Sequence, residues 1–181
     1  GICARDLSKF PAEEKGRYKL LSCFQVDVTN RDQLAVAVNQ FLEGGPLDMM
    51  IANAGRSVGA KTKTPNFKVA NEIIDINVKG VLNTFDVALE HMLPRKSGHL
   101  VATASVAGLV GLPGAAAYSA SKAAVLKLCE SYSLDLVSEG IHVTAIAPGF
   151  VDTPLTQKNN HKMPFIMSAK NAAQLIKNAI A

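Results

Sequence analysis

Tyr118 and Lys122 stand four positions apart in the stretch "YSASK". With about 3.6 residues per helical turn, such a pair lies on one helix face and can converge on one small volume. An ammonium beside a phenol stabilises the phenolate and lowers its pKa from the reference of about 10, so the pair is a candidate acid/base group near neutrality. Ser105, upstream at the end of an apolar run, can reach the same cleft and hydrogen-bond a substrate oxygen. Asn77, in a long helical pattern, can hold a water that relays protons from Lys122. A tyrosine and a lysine at this spacing also arise by chance on helix surfaces, so the pair carries weight only through what surrounds it.

The surrounding sequence alternates. Short Val-, Ile- and Leu-rich runs occur at "GICAR", "KLLSCFQV", "LDMMIA", "GHLVATA" and "IHVTAIA", each about the length of a strand buried on both faces. Helical patterns fill the gaps: "RDQLAVAVNQFL", then "ANEIIDINVKGVLNTFDVALEHML" up to Pro94, then "AYSASKAAVLKLCESYSLDLVSEG" with Gly140 as C-terminal cap. Strands alternating with helices predict βαβ units, hence an α/β fold with a doubly wound parallel sheet. Ligands of such sheets bind beyond the carboxyl ends of the strands. The residues there are Asp27 and Val28, "ANAG", Ser105, and "PGFVDTP" from Pro148 to Pro154. Each has a local alternative: Asp27 as a helix cap, Gly55 and Gly149 as turn glycines, Ser105 as a loop serine.

Composition narrows the classes. A chain of 181 residues, 48% hydrophobic and 19% charged, can build one domain with a sizeable core. Its net charge of +4 comes from dispersed Lys and Arg without a basic stripe, which argues against a nucleic-acid partner. Cys3, Cys23 and Cys129 lack metal-type spacing, and His91, His99, His142 and His161 are scattered, so no metal site and no disulfide framework is expected. The uncharged run Leu100–Ser121 has nearly the length of a membrane span, but Gly108, Gly111, Pro113 and Gly114 break it into strand, loop and helix start. With no signal peptide visible at the start, a reducing, cytoplasmic setting is the expectation.

Taken together, "DV" at Asp27, "NAG" at Asn53–Gly55, Asn77, Ser105, "YSASK" and "PGFVDTP" follow one another in an order and spacing that resemble the classical short-chain dehydrogenase/reductase family. The resemblance runs along almost the whole chain. It implies a Rossmann-like NAD(P)-binding domain in which Tyr118 is the acid/base, Ser105 orients the carbonyl or hydroxyl, Lys122 supports the tyrosine and holds the nicotinamide ribose, and Asn77 serves a proton relay. It also implies cofactor contacts from Asp27 and Val28 at the adenine, from Asn53, Ala54 and Gly55 along the cofactor, and from Pro148, Gly149, Val151 and Thr153 near the nicotinamide. Two long helical patterns, around Asn71–Leu93 and Tyr118–Val137, resemble the dimer seam of that family, so a homodimer or homotetramer is expected.

Two departures from the family pattern stand out. The glycine-rich turn that would cradle a pyrophosphate is absent, because residue 1 already reads as the second strand. "GLVGLPG" at Gly108–Gly114 follows a different strand and reads as an active-site loop. Downstream, the expected last strand does not arrive. Residues 1–181 are therefore expected to be a single domain that lacks its first strand, its glycine-rich turn and its last strand. Cofactor choice turns on "ICARD": Ala4 offers no carboxylate to a ribose, and Arg5 can pair with a 2′-phosphate, which favours NADP over NAD. Asp6 could still reach a ribose, and Arg5 with Asp6 could be a mere surface pair. The expected function is an NADP-dependent oxidoreductase acting on a small-molecule carbonyl or secondary alcohol. The alternatives are a non-catalytic dinucleotide-binding or regulatory module, and a lyase or epimerase on the same fold.

Overall fold

The computed structural model describes residues 1–9, 20–57, 64–157 and 162–181. Five strands and three long helical stretches appear where the apolar runs and helical periods place them. They are β1 (Ile2–Ala4), β2 (Cys23–Gln25), α1 (Arg31–Leu42), β3 (Met49–Ala52), α2 (Phe67–Ile74), α3 (Gly80–Met92), β4 (Gly98–Thr103), α4 (Ala116–Asp135) and β5 (Ile141–Ile146). A π-helical turn, Asp75–Lys79, joins α2 to α3 without a break. Beyond β5 come two short strands, β6 (Val151–Asp152) and β7 (Met167–Ser168), and α5 (Ala169–Ile180).

Side-chain caps fix the starts of α1 and α2. Asn30 accepts the Gln33 amide at 3.1 Å before α1, and Asn66 accepts the Val69 amide at 3.1 Å before α2. Each satisfies one of the donors a helix start leaves unpaired. Asp27, read above as a possible helix cap, instead closes its own turn by accepting from the Thr29 amide at 2.9 Å and hydroxyl at 2.8 Å. At the far end of α4, a short 3-10 turn ends on Gly140, whose φ of 70° lies in the left-handed region glycine tolerates.

All strand pairs are parallel. β1 pairs with β2, and β4 lies between β3 and β5, with Met49 opposite His99 and Gly98 opposite Ile141. Leu100, Val101 and Ala102 on β4 are consecutive and all at 0% exposure, as a central parallel strand covered on both faces requires. Around β4 the core gathers Phe85, Val87, Ala88 and Met92 of α3, Val125 and Cys129 of α4, and Leu34 and Val38 of α1. Burying each such large side chain stabilises the fold by roughly 1.5–3 kcal/mol. The result is a Rossmann-like α/β architecture in which the β1–β2 pair and the β3–β4–β5 sheet flank a cavity. The long helical pattern expected over residues 71–93 starts earlier, at Phe67, and contains the π turn. "KLLSCFQV" ladders over Cys23–Gln25 alone among the described residues.

Candidate active site

The ends of β4 and β5 are tied together. Ser105 follows β4, and its Oγ accepts the Ala107 amide at 3.1 Å, opening the short turn Val106–Gly108. The Pro148 carbonyl, after β5, accepts the Val106 amide at 3.1 Å. The Ser105 hydroxyl donates to that same carbonyl at 3.5 Å, the long limit of a hydrogen bond, so this proton is loosely held and available to another acceptor.

α4 brings the second half of the site. Tyr118 is half-buried in its first turn, and among the described residues its hydroxyl has no hydrogen-bond partner. Lys122, one turn later, is 5% exposed. Its Nζ donates to the Thr103 carbonyl at 2.6 Å and stands 5.8 Å from the Tyr118 ring centroid, within cation–π range. Burial pushes the ammonium pKa from 10.5 down to about 8. Gly108 lets the loop after Ser105 lie flat on this helix, since a Cβ there would stand 2.7 Å from the Lys122 carbonyl carbon.

Asn77 sits in the π turn at 0% exposure. Its Oδ1 accepts the Arg56 amide at 2.8 Å, and its Nδ2 donates to the Arg56 carbonyl at 2.9 Å and to Ser121 Oγ at 3.0 Å. Ser121 Oγ in turn donates to the Tyr118 carbonyl at 2.7 Å. Both side-chain donors of Asn77 are thus committed to holding the backbone after Gly55 against α4. A Cβ on Gly55 would lie 3.5 Å from Asn77 Oδ1 and 3.7 Å from Lys122 Nζ, so the "NAG" turn abuts the Tyr118–Lys122 face.

From Gly55 the site continues into a cavity of about 620 Å³ lined by Arg5, Asp27, Val28, Asn53, Ala54 and Gly55 together with apolar residues of β1, β3, α1 and α3. That volume falls within the range of about 300–1,000 Å³ usual for cofactor and ligand sites. Asp27 is held below the usual carboxylate range, chiefly by the Thr29 amide and secondarily by its hydroxyl and by Arg5, whose Nη1 lies 4.0 Å away. Val28 is anchored by Asn83 Nδ2, which donates to its carbonyl at 2.8 Å. Asp6 is engaged with Ser8, accepting its amide at 3.0 Å and its hydroxyl at 2.5 Å. Pro148, Gly149, Val151 and Thr153 lie outside this cavity, in the segment after β5, where the Thr156 hydroxyl braces the Val151 carbonyl at 2.5 Å and the Thr153 amide at 3.1 Å.

Sequence reasoning did not single out Thr103, Ser121, Asn83 or Thr156. Thr103 had a signal, as the last residue of a strand: its hydroxyl donates to Asn53 Oδ1 at 2.9 Å while its carbonyl holds Lys122. Among the described residues no cluster of three or more His, Cys, Asp or Glu could hold a metal ion. No helix there is long and apolar enough to cross a membrane.

Comparison with known proteins gives the family and the fold. The model of the short chain dehydrogenase family matches residues 3–164. An uncharacterised oxidoreductase of Myxococcus xanthus is 41% identical over 157 residues, covering 86% of this chain and 62% of that protein. The 3-oxoacyl-(acyl-carrier-protein) reductase FabG of Thermotoga maritima is 31% identical over 158 residues, covering 87% of this chain and 64% of that enzyme. The chain therefore spans a little under two thirds of the length of these relatives. Among solved structures, ElxO with NADP bound superposes with a TM-score of 0.85 at 26% identity, covering 99% of this chain and 80% of that one. The chain belongs to the short chain dehydrogenase family.

Proposed function

We propose that residues 1–181 form the greater part of one nicotinamide-dinucleotide-binding domain, and that the protein is an NADP-dependent oxidoreductase interconverting a carbonyl compound and a secondary alcohol. The observation that carries this reading is the Lys122 ammonium, seated beside Gly55 at the end of the cavity, 5.8 Å from the Tyr118 ring and held by the Thr103 carbonyl two residues before the loosely held Ser105 hydroxyl.

A bound nicotinamide dinucleotide supplies the hydride of such a reaction. Arg5, Asp27 and Val28 would hold its adenosine end, Asn53, Ala54 and Gly55 its middle, and Lys122, Pro148, Gly149, Val151 and Thr153 its nicotinamide end. Gly55 fits that assignment, because any side chain there would project toward Asn77 and Lys122. The preference for NADP is supported by Arg5 at the cavity wall, by the commitment of Asp6 to Ser8, and by the NADP of ElxO.

In reduction, Ser105 turns its proton from the distant Pro148 carbonyl to the substrate oxygen and holds that oxygen beside Tyr118. Tyr118 then donates its hydroxyl proton as negative charge develops there, acting as general acid. Lys122 stabilises the charge left on the phenol oxygen. Asn77 acts as a positioning residue, keeping the turn after Gly55 and the start of α4 in register. Tyr118→Phe in the full-length protein tests the reading: turnover should fall by about 10²–10⁴-fold with NADPH binding retained. Retention of more than about a tenth of the wild-type kcat removes Tyr118 from the chemistry, since proton transfer is worth at least about 10²-fold.

Exposed apolar side chains on the long helices, Phe67 on α2, Leu82 on α3 and Leu134 on α4, support self-association through these helices. Light scattering of the full-length protein gives the copy number.

A further inference from the structure

At the other end of the sheet from Ser105, two histidines face each other. His99 on β4 and His142 on β5 are remote in sequence, but the parallel register sets them directly opposite one another. Side chains alternate between the two faces of a strand, so partners in register share a face. The two imidazoles meet there with ring centroids 6.1 Å apart and planes at 74°. His99 is half-buried and His142 is exposed. The backbone of His99 is held on both sides: its amide donates to the Asp48 carbonyl at 2.9 Å, and Met49 of β3 pairs with it across from His142.

A third side chain orients the pair. His99 Nε2 lies 2.8 Å from the hydroxyl of Thr144, the next residue of β5 on the same face. With that hydroxyl as acceptor, Nε2 carries the proton and Nδ1 keeps its lone pair, the arrangement in which an imidazole binds a metal. Burial first, and the facing His142 second, hold the His99 pKa below its usual value, so the ring is neutral at physiological pH. The separation of the rings suits one ion between them. A nitrogen about 2.0–2.1 Å from a metal puts its ring centroid about 3.2 Å away, so two rings on one ion stand at most about 6.4 Å apart. A tetrahedral angle needs about 5 Å, which a small rotation of the exposed His142 side chain supplies.

We propose that His99 and His142 form a two-imidazole site for a divalent cation of the Zn²⁺ or Cu²⁺ class, with water or an added ligand completing the coordination shell. Imidazole selects these ions over Mg²⁺ and Ca²⁺, which take oxygen donors. Two protein ligands make it a site of modest affinity, open to exchange. It stands apart from the candidate active site: about 13 Å of β4, at about 3.3 Å per residue, separates His99 from Thr103, whose carbonyl holds Lys122. The consequence is therefore structural. Only the β4–β5 register brings the two rings together, so the ion binds the folded chain and raises its stability once its concentration exceeds the dissociation constant.

The test is calorimetric titration of the untagged full-length protein with Zn²⁺, with Mg²⁺ as the competing ion and Cu²⁺ followed in parallel by electron paramagnetic resonance. Zn²⁺ should bind without competition from Mg²⁺, and the Cu²⁺ signal should show two coupled imidazoles. His142→Ala, at an exposed position outside the core, and His99→Ala should each weaken binding by about 10²-fold or more, because chelation is lost. Thr144→Val should weaken it by about 10-fold as the His99 ring loses its partner. Saturating Zn²⁺ should raise the melting temperature of the wild type and leave that of His142→Ala unchanged. Wild-type Zn²⁺ affinity in His142→Ala, a Cu²⁺ signal from a single imidazole, or no Zn²⁺ binding at all overturns the site and leaves the two rings as an aromatic contact. The oxidoreductase reading stands or falls separately, on Tyr118→Phe.

Discussion

Lys122→Met separates what the lysine does for stability from what it does for chemistry. The ammonium is nearly covered, and burial lowers its pKa from 10.5 to about 8. At about 1.4 kcal/mol per pKa unit, keeping it charged in the folded protein at neutral pH costs about 3 kcal/mol. Because the folded state binds this proton less tightly than the unfolded chain, the unfolded chain carries the excess protons between pH 8 and 10.5, and stability rises with pH through that window. Below the folded pKa both states are charged and the whole cost is present. Between pH 7 and pH 9.5 the wild type should gain about 2 kcal/mol from this group alone. Methionine fills similar space without a charge but leaves the Thr103 carbonyl without its 2.6 Å partner, a loss of about 1–3 kcal/mol that does not vary with pH. The diagnostic is therefore the slope. Urea unfolding of the full-length protein and the variant across pH 7–9.5 should show the difference moving by about 2 kcal/mol in favour of the wild type as pH rises. Parallel profiles would refute the account of a buried ammonium, whatever the variant does to activity, which should be abolished.

Arg5→Leu removes the guanidinium at the cavity wall, and a charge-assisted contact of about 1.5–3 kcal/mol should then be lost for NADPH alone. The ratio of kcat/KM for NADPH over NADH should fall by about 10-fold or more, and an unchanged ratio makes Arg5 a surface residue. Gly108→Ala forces a methyl against the Lys122 and Ala123 backbone, at 2.7 and 2.8 Å, so stability should drop by about 1–3 kcal/mol and kcat should fall with it as the loop carrying Ser105 is displaced. His99 is held below its usual pKa by burial first and by facing His142 second, so the folded state binds its proton less tightly than the unfolded chain. Its stabilising contribution is complete above about pH 6.5 and is lost as pH falls from there through the lowered pKa. His99→Gln should flatten the acid limb of the stability profile, and an unchanged limb places the acid sensitivity elsewhere.

Strands and helices with strong patterns were legible because burial on both faces leaves a continuous apolar run, and packing on one face leaves a period. "GHLVATA" and "IHVTAIA" became β4 and β5, and "RDQLAVAVNQFL" became α1 with the same ends. β6 and β7 were not legible, since two-residue ladders are too short to carry an alternation. In the candidate site, Tyr118 and Lys122 could be paired from spacing alone, because i and i+4 share a face in any helix. The bonds that fix them could not. Thr103 holds Lys122 through its carbonyl, which every residue type possesses, so the sequence carries no mark of that contact. Asp27 shows the converse. Its type suits a helix cap, but the cap position belongs to Asn30 three residues on, and the carboxylate turns back to Thr29 instead.

The π turn at Asp75–Lys79 explains why one reading of the long helix was incomplete and why Asn77 is where it is. A single extra residue in one turn rotates everything downstream by about 100° relative to an uninterrupted α-helix. The stretch before the turn then faces α4, while the stretch after it faces β3 and α1. A hydrophobic period read along the sequence absorbs that offset, because each half remains periodic by itself. The consequence is chemical as well as geometric. Asn77 lies within the turn itself, fully buried, with its amide directed both at the Arg56 backbone and at Ser121 on α4. An asparagine buried at that depth must spend its donors on protein groups. The groups it reaches are the turn after Asn53–Gly55 and the helix turn that carries Tyr118, so one side chain ties the cavity to the first turn of α4.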